Sequence, residues 1–141
     1  HYVRDLDLAF AKVSAVLKSG GEFIFSIEHP VFTALEKQDW FYDEKGEILH
    51  WPLDNYQNEG VRHSNWMADD VVKYHRTVSG ILNSLLSAGF ALTRLAEPRS
   101  RLARRATGDE ARRSPTDLSD RQRPQAVMAL RTLQRPWPTA S

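Results

Sequence analysis

The chain has 141 residues, contains no cysteine and carries a formal net charge of +1 at pH 7. The missing cysteines exclude disulfides, thiolate metal sites and cysteine nucleophiles, and no apolar run approaches the roughly 20 residues that a membrane-spanning helix needs. A hydrophobic fraction of 41% beside 26% charged residues predicts one globular domain of a cytoplasmic protein, with no membrane attachment.

The charge is distributed unevenly along the chain. Residues 1–98 hold five lysines and four arginines against fourteen acidic residues, whereas residues 99–141 hold ten arginines, no lysine and four acidic residues. We therefore predict a folded body over 1–98 and an irregular arginine-rich tail over 99–141, in which only residues 126–133 (AVMALRTL) could form a further element. A change of reading frame and a natural, divergent tail are both open explanations for this composition.

The first elements are a helix and a strand. Asp5 can cap a helix whose apolar residues recur at helical spacing as far as Leu17, and the glycine pair at 20–21 can end it. Residues 22–27 (EFIFSI) are apolar on both faces apart from one serine, which is typical of a strand buried between layers of helices. His29-Pro30 then ends the strand, because proline cannot continue a strand ladder.

Residues 31–70 form an aromatic-rich insertion that we interpret as a binding lid. Within it, residues 40–42 and 48–51 can pair as a hairpin, and the tryptophans can equally form a small core of their own. A second helix begins at Thr77 and ends at Gly89, and a second strand follows over 90–95. The alternation of helix and strand predicts an α/β sheet.

Five stretches of the sequence resemble landmarks of class I S-adenosylmethionine-dependent methyltransferases, and they follow one another along the chain in the same order as in that family. The most specific is residues 17–26 (LKSGGEFIFS), which resembles the helix–glycine turn–strand signature leading into the fifth strand of that fold. The other landmarks lie at residues 1–6, at 26–30 (SIEHP), at 56–60 with 73–77 (KYHRT), and at 88–98, and they are similar to the small-molecule branch of type 11/12 methyltransferases.

The resemblance implies a function and a boundary. It implies the carboxyl-terminal part of a Rossmann-like sheet, with strands 5 and 6 and possibly 7, and methyl transfer from S-adenosylmethionine to a small-molecule acceptor. The family's glycine-rich cofactor loop and its ribose-binding acid have no counterpart in the sequence. We therefore expect the chain to be the carboxyl-terminal half of a longer enzyme and to be inactive alone.

Candidate site residues follow from this interpretation. We expect an acid–base role for two histidines, because the pKa of histidine lies near neutrality, although both could instead be structural loop or helix-cap residues. Histidines 50 and 63 with Asp54 match no metal-ligand spacing, so no metal site is predicted. The candidates are His29 and His75 for catalysis; Tyr56, Glu59, Trp66, Tyr74 and Arg76 for the substrate; and His1 and Tyr2 for the cofactor.

Two other functions stay open at this stage. The chain could be a non-catalytic fragment or pseudoenzyme, and clustered arginines in the tail could attract nucleic acid phosphates. The tail has no interleaved aromatic residues and the body is acidic, so nucleic acid binding ranks last. The sequence indicates neither the oligomeric state nor the identity of the methyl acceptor.

Overall fold

A computed structural model describes residues 1–66, 68–98 and 125–133. This part of the chain contains three helices and seven strands. The helices are α1 (Leu6–Val16), α2 (Pro30–Ala34) and α3 (Val78–Ser87); the strands are β1 (Glu22–Glu28), β2 (Phe41–Tyr42), β3 (Ile48–His50), β4 (Gly60–Trp66), β5 (Ala68–His75), β6 (Phe90–Ala96) and β7 (Gln125–Thr132). None of these helices is long and apolar enough to cross a membrane.

The main sheet has the strand order β1-β7-β6, with β7 antiparallel to both neighbours. The two outer strands therefore run parallel, as the predicted α/β alternation requires. Helices α1 and α3 contribute to the core that the sheet also lines, and a fully buried side chain such as Leu85 contributes about 1.5–3 kcal/mol to folding. The core consists of Phe10, Ile81, Leu85, Phe90, Met128 and Leu130, with Phe23 and Phe25 packed beside it.

Local signals explain where the two long helices begin. The Asp5 carboxylate accepts a hydrogen bond from the Leu8 backbone N–H at 2.9 Å, which satisfies one free donor of the first turn of α1. Thr77 caps α3 in the same way through the backbone N–H of Gly80, also at 2.9 Å. Gly89, with φ +85°, then turns the chain from α3 into β6.

The predicted irregular tail is corrected at residues 125–132, which form the central strand of the main sheet. This strand coincides with residues 126–133, the one stretch of the tail in which the sequence allows a further element, and alternate residues Ala126, Met128 and Leu130 are buried. Alternate side chains of a strand point to the same face, so this two-residue spacing means that one face of β7 is buried. The other residues of the predicted irregular tail, 99–124 and 134–141, lie outside the described residues.

The insertion contains more regular structure than the sequence predicts. The expected hairpin is present as β2 and β3, with Phe41 opposite His50, and the ring of Trp51 stacks on Phe32 at 4.2 Å. Trp40 lies edge-on to Trp51 at 5.1 Å, so these three rings form an aromatic cluster. Helix α2 and strand β4, which pairs antiparallel with β5, were not predicted. Pro30, interpreted only as the end of a strand, also occupies the first turn of α2, where its missing N–H costs nothing.

Candidate functional site

The carboxyl end of β1 carries a buried acid. Glu28 is the last residue of this mostly apolar strand and is only 5% exposed. In open α/β sheets, ligands bind beyond the carboxyl ends of the strands. The position of Glu28 therefore marks the edge at which a functional site is expected.

Glu28 forms a buried ion pair with Lys73 of β5. The Nζ atom of Lys73 donates to Oε1 of Glu28 at 3.0 Å, to Oε2 at 2.9 Å, and to Oε1 of Gln38 at 3.0 Å. The lysine is fully buried, and its Nζ atom lies 6.0 Å from the centre of the Tyr2 ring. A buried ion pair often contributes no more to stability than apolar residues of similar volume would, so stability alone does not explain this pair.

Two of the predicted site residues lie beside this ion pair. Nδ1 of His1 accepts a hydrogen bond from the backbone N–H of Glu28 at 3.2 Å, and its Nε2 lies 3.8 Å from Oε2 of Glu28. The backbone N–H of Tyr74 donates to the carbonyl of His1 at 2.8 Å. These contacts bring residues 1–4 against the end of β5.

Arg76 extends the same group of residues. Its NH2 atom donates to the carbonyls of Val3 at 3.0 Å and Arg4 at 2.7 Å, and its guanidinium carbon lies 5.8 Å from the centre of the Tyr74 ring. The structure therefore brings together four of the predicted site residues: His1, Tyr2, Tyr74 and Arg76.

A narrow cleft lies between these residues and the core. Its free volume is about 20 Å³, close to the space that one water molecule requires. Both apolar and polar residues line the cleft, and its volume admits one small group. The apolar lining comprises Leu6, Phe10, Phe25, Ile27, Pro30 and Ile81, and the polar lining His1, Glu28, Thr33, Tyr74 and Arg76.

His29 lies at the start of α2 and has both ring nitrogens occupied. Its Nδ1 accepts a hydrogen bond from the Val31 backbone N–H at 3.1 Å, so Nε2 carries the proton in the neutral ring. Nε2 lies 2.6 Å from Oε1 of Glu97, which follows β6. His29 thus caps α2 and joins the ends of two strands, and this geometry gives no support to an acid–base role.

His75 is fully buried and is also held at both nitrogens. Nε2 donates to the carbonyl of Tyr56 at 2.9 Å, which leaves Nδ1 to accept from the hydroxyl of Thr33 at 2.8 Å. Burial lowers the pKa of His75; the hydrogen bond to Tyr56 opposes this change, and the charge of Arg62 adds to it. The neutral ring of His75 links Tyr56 to Thr33 of α2 and has no free nitrogen. This arrangement gives no support to the predicted catalytic role of His75.

Tyr56 and Glu59 bind the amino terminus of α3. The hydroxyl of Tyr56 accepts from the backbone N–H of Val78 at 3.0 Å, and Oε1 of Glu59 accepts from the backbone N–H and the hydroxyl of Thr77 at 2.8 and 2.7 Å. Burial acts to raise the pKa of Glu59, but the hydrogen bonds from Thr77 outweigh it and lower that pKa. These two predicted substrate residues therefore link the insertion to the start of α3.

Trp66 is the last residue of β4, and its side chain lies outside the described part of the structure. Among the described residues, no group of three histidine or acidic side chains could hold a metal ion. The sequence interpretation missed Glu28, Lys73 and Gln38, although an acid that ends an apolar strand was a usable signal.

Comparison with known proteins identifies the fold. No protein-family model matches the chain. A solved structure from Listeria monocytogenes, whose assignment as an S-adenosylmethionine-dependent methyltransferase is provisional, superimposes with a TM-score of 0.77 at 38% identity, over 95% of this chain and 57% of that one. An S-adenosylmethionine-dependent methyltransferase from Mesorhizobium loti gives 0.72 at 35% identity, over 93% and 57%. The chain shares the fold of S-adenosylmethionine-dependent methyltransferases.

The match is partial in length. A Haemophilus influenzae protein without an assigned function is 33% identical over 99 residues, which is 70% of this chain and 39% of that protein. The chain thus spans just over half of the methyltransferase structures it resembles, and less of this relative.

Neither glycine turn at the described main sheet has the position of the methyltransferase cofactor loop. The glycines with positive φ are Gly20, Gly46, Gly60 and Gly89. In the main sheet, Gly20 and Gly89 precede the strands β1 and β6, whereas the cofactor loop of this fold follows the carboxyl end of a strand. The contact of His1 and Tyr2 with the cofactor stays a prediction from the resemblance.

Proposed function

We propose that the chain is the acceptor-side part of an S-adenosylmethionine-dependent methyltransferase that acts on a small molecule. The observation that carries this proposal is the superposition on two methyltransferase structures at 38% and 35% identity. The cluster at the carboxyl end of β1 supports it, because that edge of the sheet is where ligands bind in such folds.

The proposed division of labour follows from the residues present. S-adenosylmethionine supplies the electrophilic methyl group when it is bound, and methyl transfer needs mainly a close and aligned acceptor. The chain contributes the cleft, the ion pair of Glu28 and Lys73, and the edge formed by His1 and Tyr2. Most of the cofactor contacts are assigned to sequence that corresponds to the uncovered 43% of the Listeria protein, so the chain alone has no activity in this proposal.

A chimera tests this proposal. The uncovered part of the Listeria protein is joined to the 141-residue chain, and S-adenosylmethionine is titrated into the chimera and into the chain alone by calorimetry. We expect micromolar binding by the chimera and no detectable binding by the chain. A chimera with native-like circular dichroism that binds no cofactor would contradict the proposed function. Micromolar binding by the chain alone would contradict the proposal that most cofactor contacts lie in the other part of the enzyme.

A further inference from the structure

In the described part of the insertion, two buried side-chain donors have no hydrogen-bond partner. They are the Nε2 group of Gln38 and the Nε1 group of Trp40, and both lie in the connection between α2 and β2, residues 35–40. Most buried polar groups in folded proteins are hydrogen-bonded, because a donor that leaves water without gaining a partner costs free energy. Two such donors within three residues therefore need a physical explanation.

Lys73 fixes the orientation of the Gln38 amide. The Oε1 atom of Gln38 accepts a hydrogen bond from Nζ of Lys73 at 3.0 Å. An ammonium group has only donors, so exchanging the two amide atoms would place one N–H group against another. The Nε2 group is therefore the donor that lacks a partner. It belongs to a side chain in contact with the ion pair of Lys73 and Glu28, and Glu28 lines the cleft.

The backbone of Gln38 is strained. Its φ angle is +47°, in the left-handed region that residues with a side chain rarely adopt. Strain of this kind recurs in segments that hold ligands. The strained residue and the two unmet donors all raise the free energy of the described arrangement. The connection at residues 35–40 therefore opens more easily than a fully hydrogen-bonded segment would.

The aromatic cluster adjoins one of the two donors. The ring of Trp40 lies edge-on to Trp51, which in turn stacks on Phe32. The Nε1 group of Trp51 donates to the carbonyl of Val31 at 3.2 Å, so of these two tryptophans only Trp40 has an unmet donor. A ligand that suits this segment offers an acceptor oxygen to the donors and an apolar ring to the aromatic side chains.

We propose that Gln38 and Trp40 form a binding site for a ligand that carries a hydrogen-bond acceptor, a carbonyl or carboxylate oxygen, on an apolar ring. Both donors are shielded from solvent, so the connection at residues 35–40 opens to admit the ligand, which then satisfies them. The contact of Gln38 with Lys73 puts this ligand beside the candidate site. The identity of the ligand as the methyl acceptor rests on the proposed function, whereas its recognition by the two donors does not.

The test uses the 141-residue chain labelled with ¹⁵N and needs no cofactor. Acetophenone, which has a neutral carbonyl, and benzoate, which has a carboxylate, are titrated beside ethylbenzene, which has the ring but no oxygen. We expect an oxygen-bearing probe to shift the Gln38 side-chain amide and Trp40 indole resonances saturably, and ethylbenzene to shift neither. The tighter of the two oxygen-bearing probes identifies the charge of the acceptor group. An equal response to ethylbenzene, or a Gln38 or Trp40 group that responds to neither oxygen-bearing probe, would overturn the proposal.

A matched pair of glutamine variants tests the first donor. Gln38→Glu replaces the Nε2 donor with an oxygen and keeps an acceptor for Lys73, so we expect the probe to bind about tenfold more weakly. Gln57→Glu makes the same change at an exposed residue of the insertion and should leave binding unchanged. Equal binding by the two variants would contradict the role of Gln38. If Gln38→Glu does not fold, the comparison of the three probes on the unmodified chain decides alone.

A matched pair of tryptophan variants tests the unmet donor itself. Trp40→Phe removes an N–H group without a partner, so the urea midpoint should stay the same or rise. Trp51→Phe removes an N–H group that is hydrogen-bonded, so the midpoint should fall. A larger fall for Trp40→Phe than for Trp51→Phe would overturn the proposal. Failure of the chimera to bind cofactor would leave all these results intact, so the two proposals fail separately.

Discussion

Removal of the Lys73 charge alone should destabilise the protein strongly. Lys73 is fully buried and Glu28 is 5% exposed, so Lys73→Met removes the lysine cation that is paired with a carboxylate in the interior. Breaking a buried pair in this way costs about 3–5 kcal/mol, which is a large share of the roughly 5–15 kcal/mol that stabilises a typical domain. Adding Glu28→Leu removes the second charge as well. The double variant should then recover to within about 1 kcal/mol of the unmodified chain, since apolar replacement of a buried pair is often neutral.

Urea unfolding followed by tryptophan fluorescence measures both effects. The control is Arg131→Met, which breaks the exposed pair of Arg131 with Glu22, where the side chains are 57% and 62% exposed. This control should cost at most about 1 kcal/mol, as surface pairs do. If Lys73→Met costs no more than Arg131→Met, or if the double variant is less stable than Lys73→Met, then the pair is not buried as described and the reasoning fails.

Two further predictions concern the anchors of the insertion. The pKa of His75 in the folded protein lies below its usual value of 6.5, so the unfolded chain binds the proton more readily. The free energy of unfolding should therefore be highest above pH 6.5 and fall as the pH drops below 6.5. We expect the urea midpoint of the His75→Gln variant to fall less between about pH 7.5 and 5.5 than that of the unmodified chain. An equal fall in both proteins would refute this prediction. A methyl group at Gly80 would collide with Oε1 of Glu59 and displace it from Thr77. Gly80→Ala should therefore stabilise a Glu59→Ala variant by about 1 kcal/mol but the unmodified chain by less, and equal effects in the two backgrounds would contradict this contact.

The elements that could be predicted are those specified by neighbouring residues. Helices α1 and α3 have a capping residue and apolar residues at helical spacing, and β1 is a short apolar run that follows a glycine turn. The hairpin of β2 and β3 has a turn between two aromatic or apolar segments. Each of these signals lies within a few residues of the structure it produces, so no knowledge of distant contacts is needed.

Strand β4 could not be predicted, because its buried residues are polar. Arg62 is 8% exposed, yet its Nε atom donates to the carbonyl of Ala34 at 3.1 Å and its NH2 atom to the carbonyl of Asn58 at 2.6 Å. The carbonyl of Ala34 belongs to the last residue of α2, where free backbone acceptors favour a cation. An arginine that is satisfied by backbone atoms 28 residues away has no local pattern that marks it as buried.

The site residues were missed for a related reason. Histidines were chosen for their near-neutral pKa, but both ring nitrogens of His29 and of His75 are used to join elements of the fold. Glu28 is different, since an acid that ends an apolar strand must be either exposed or paired, and a buried one needs a cation. Of the five lysines, four are exposed in a helix, loops or turns, and only Lys73 lies within a strand between apolar or aromatic neighbours. The partner of Glu28 lies 45 residues away and could be found only once the burial of Lys73 within β5 was known.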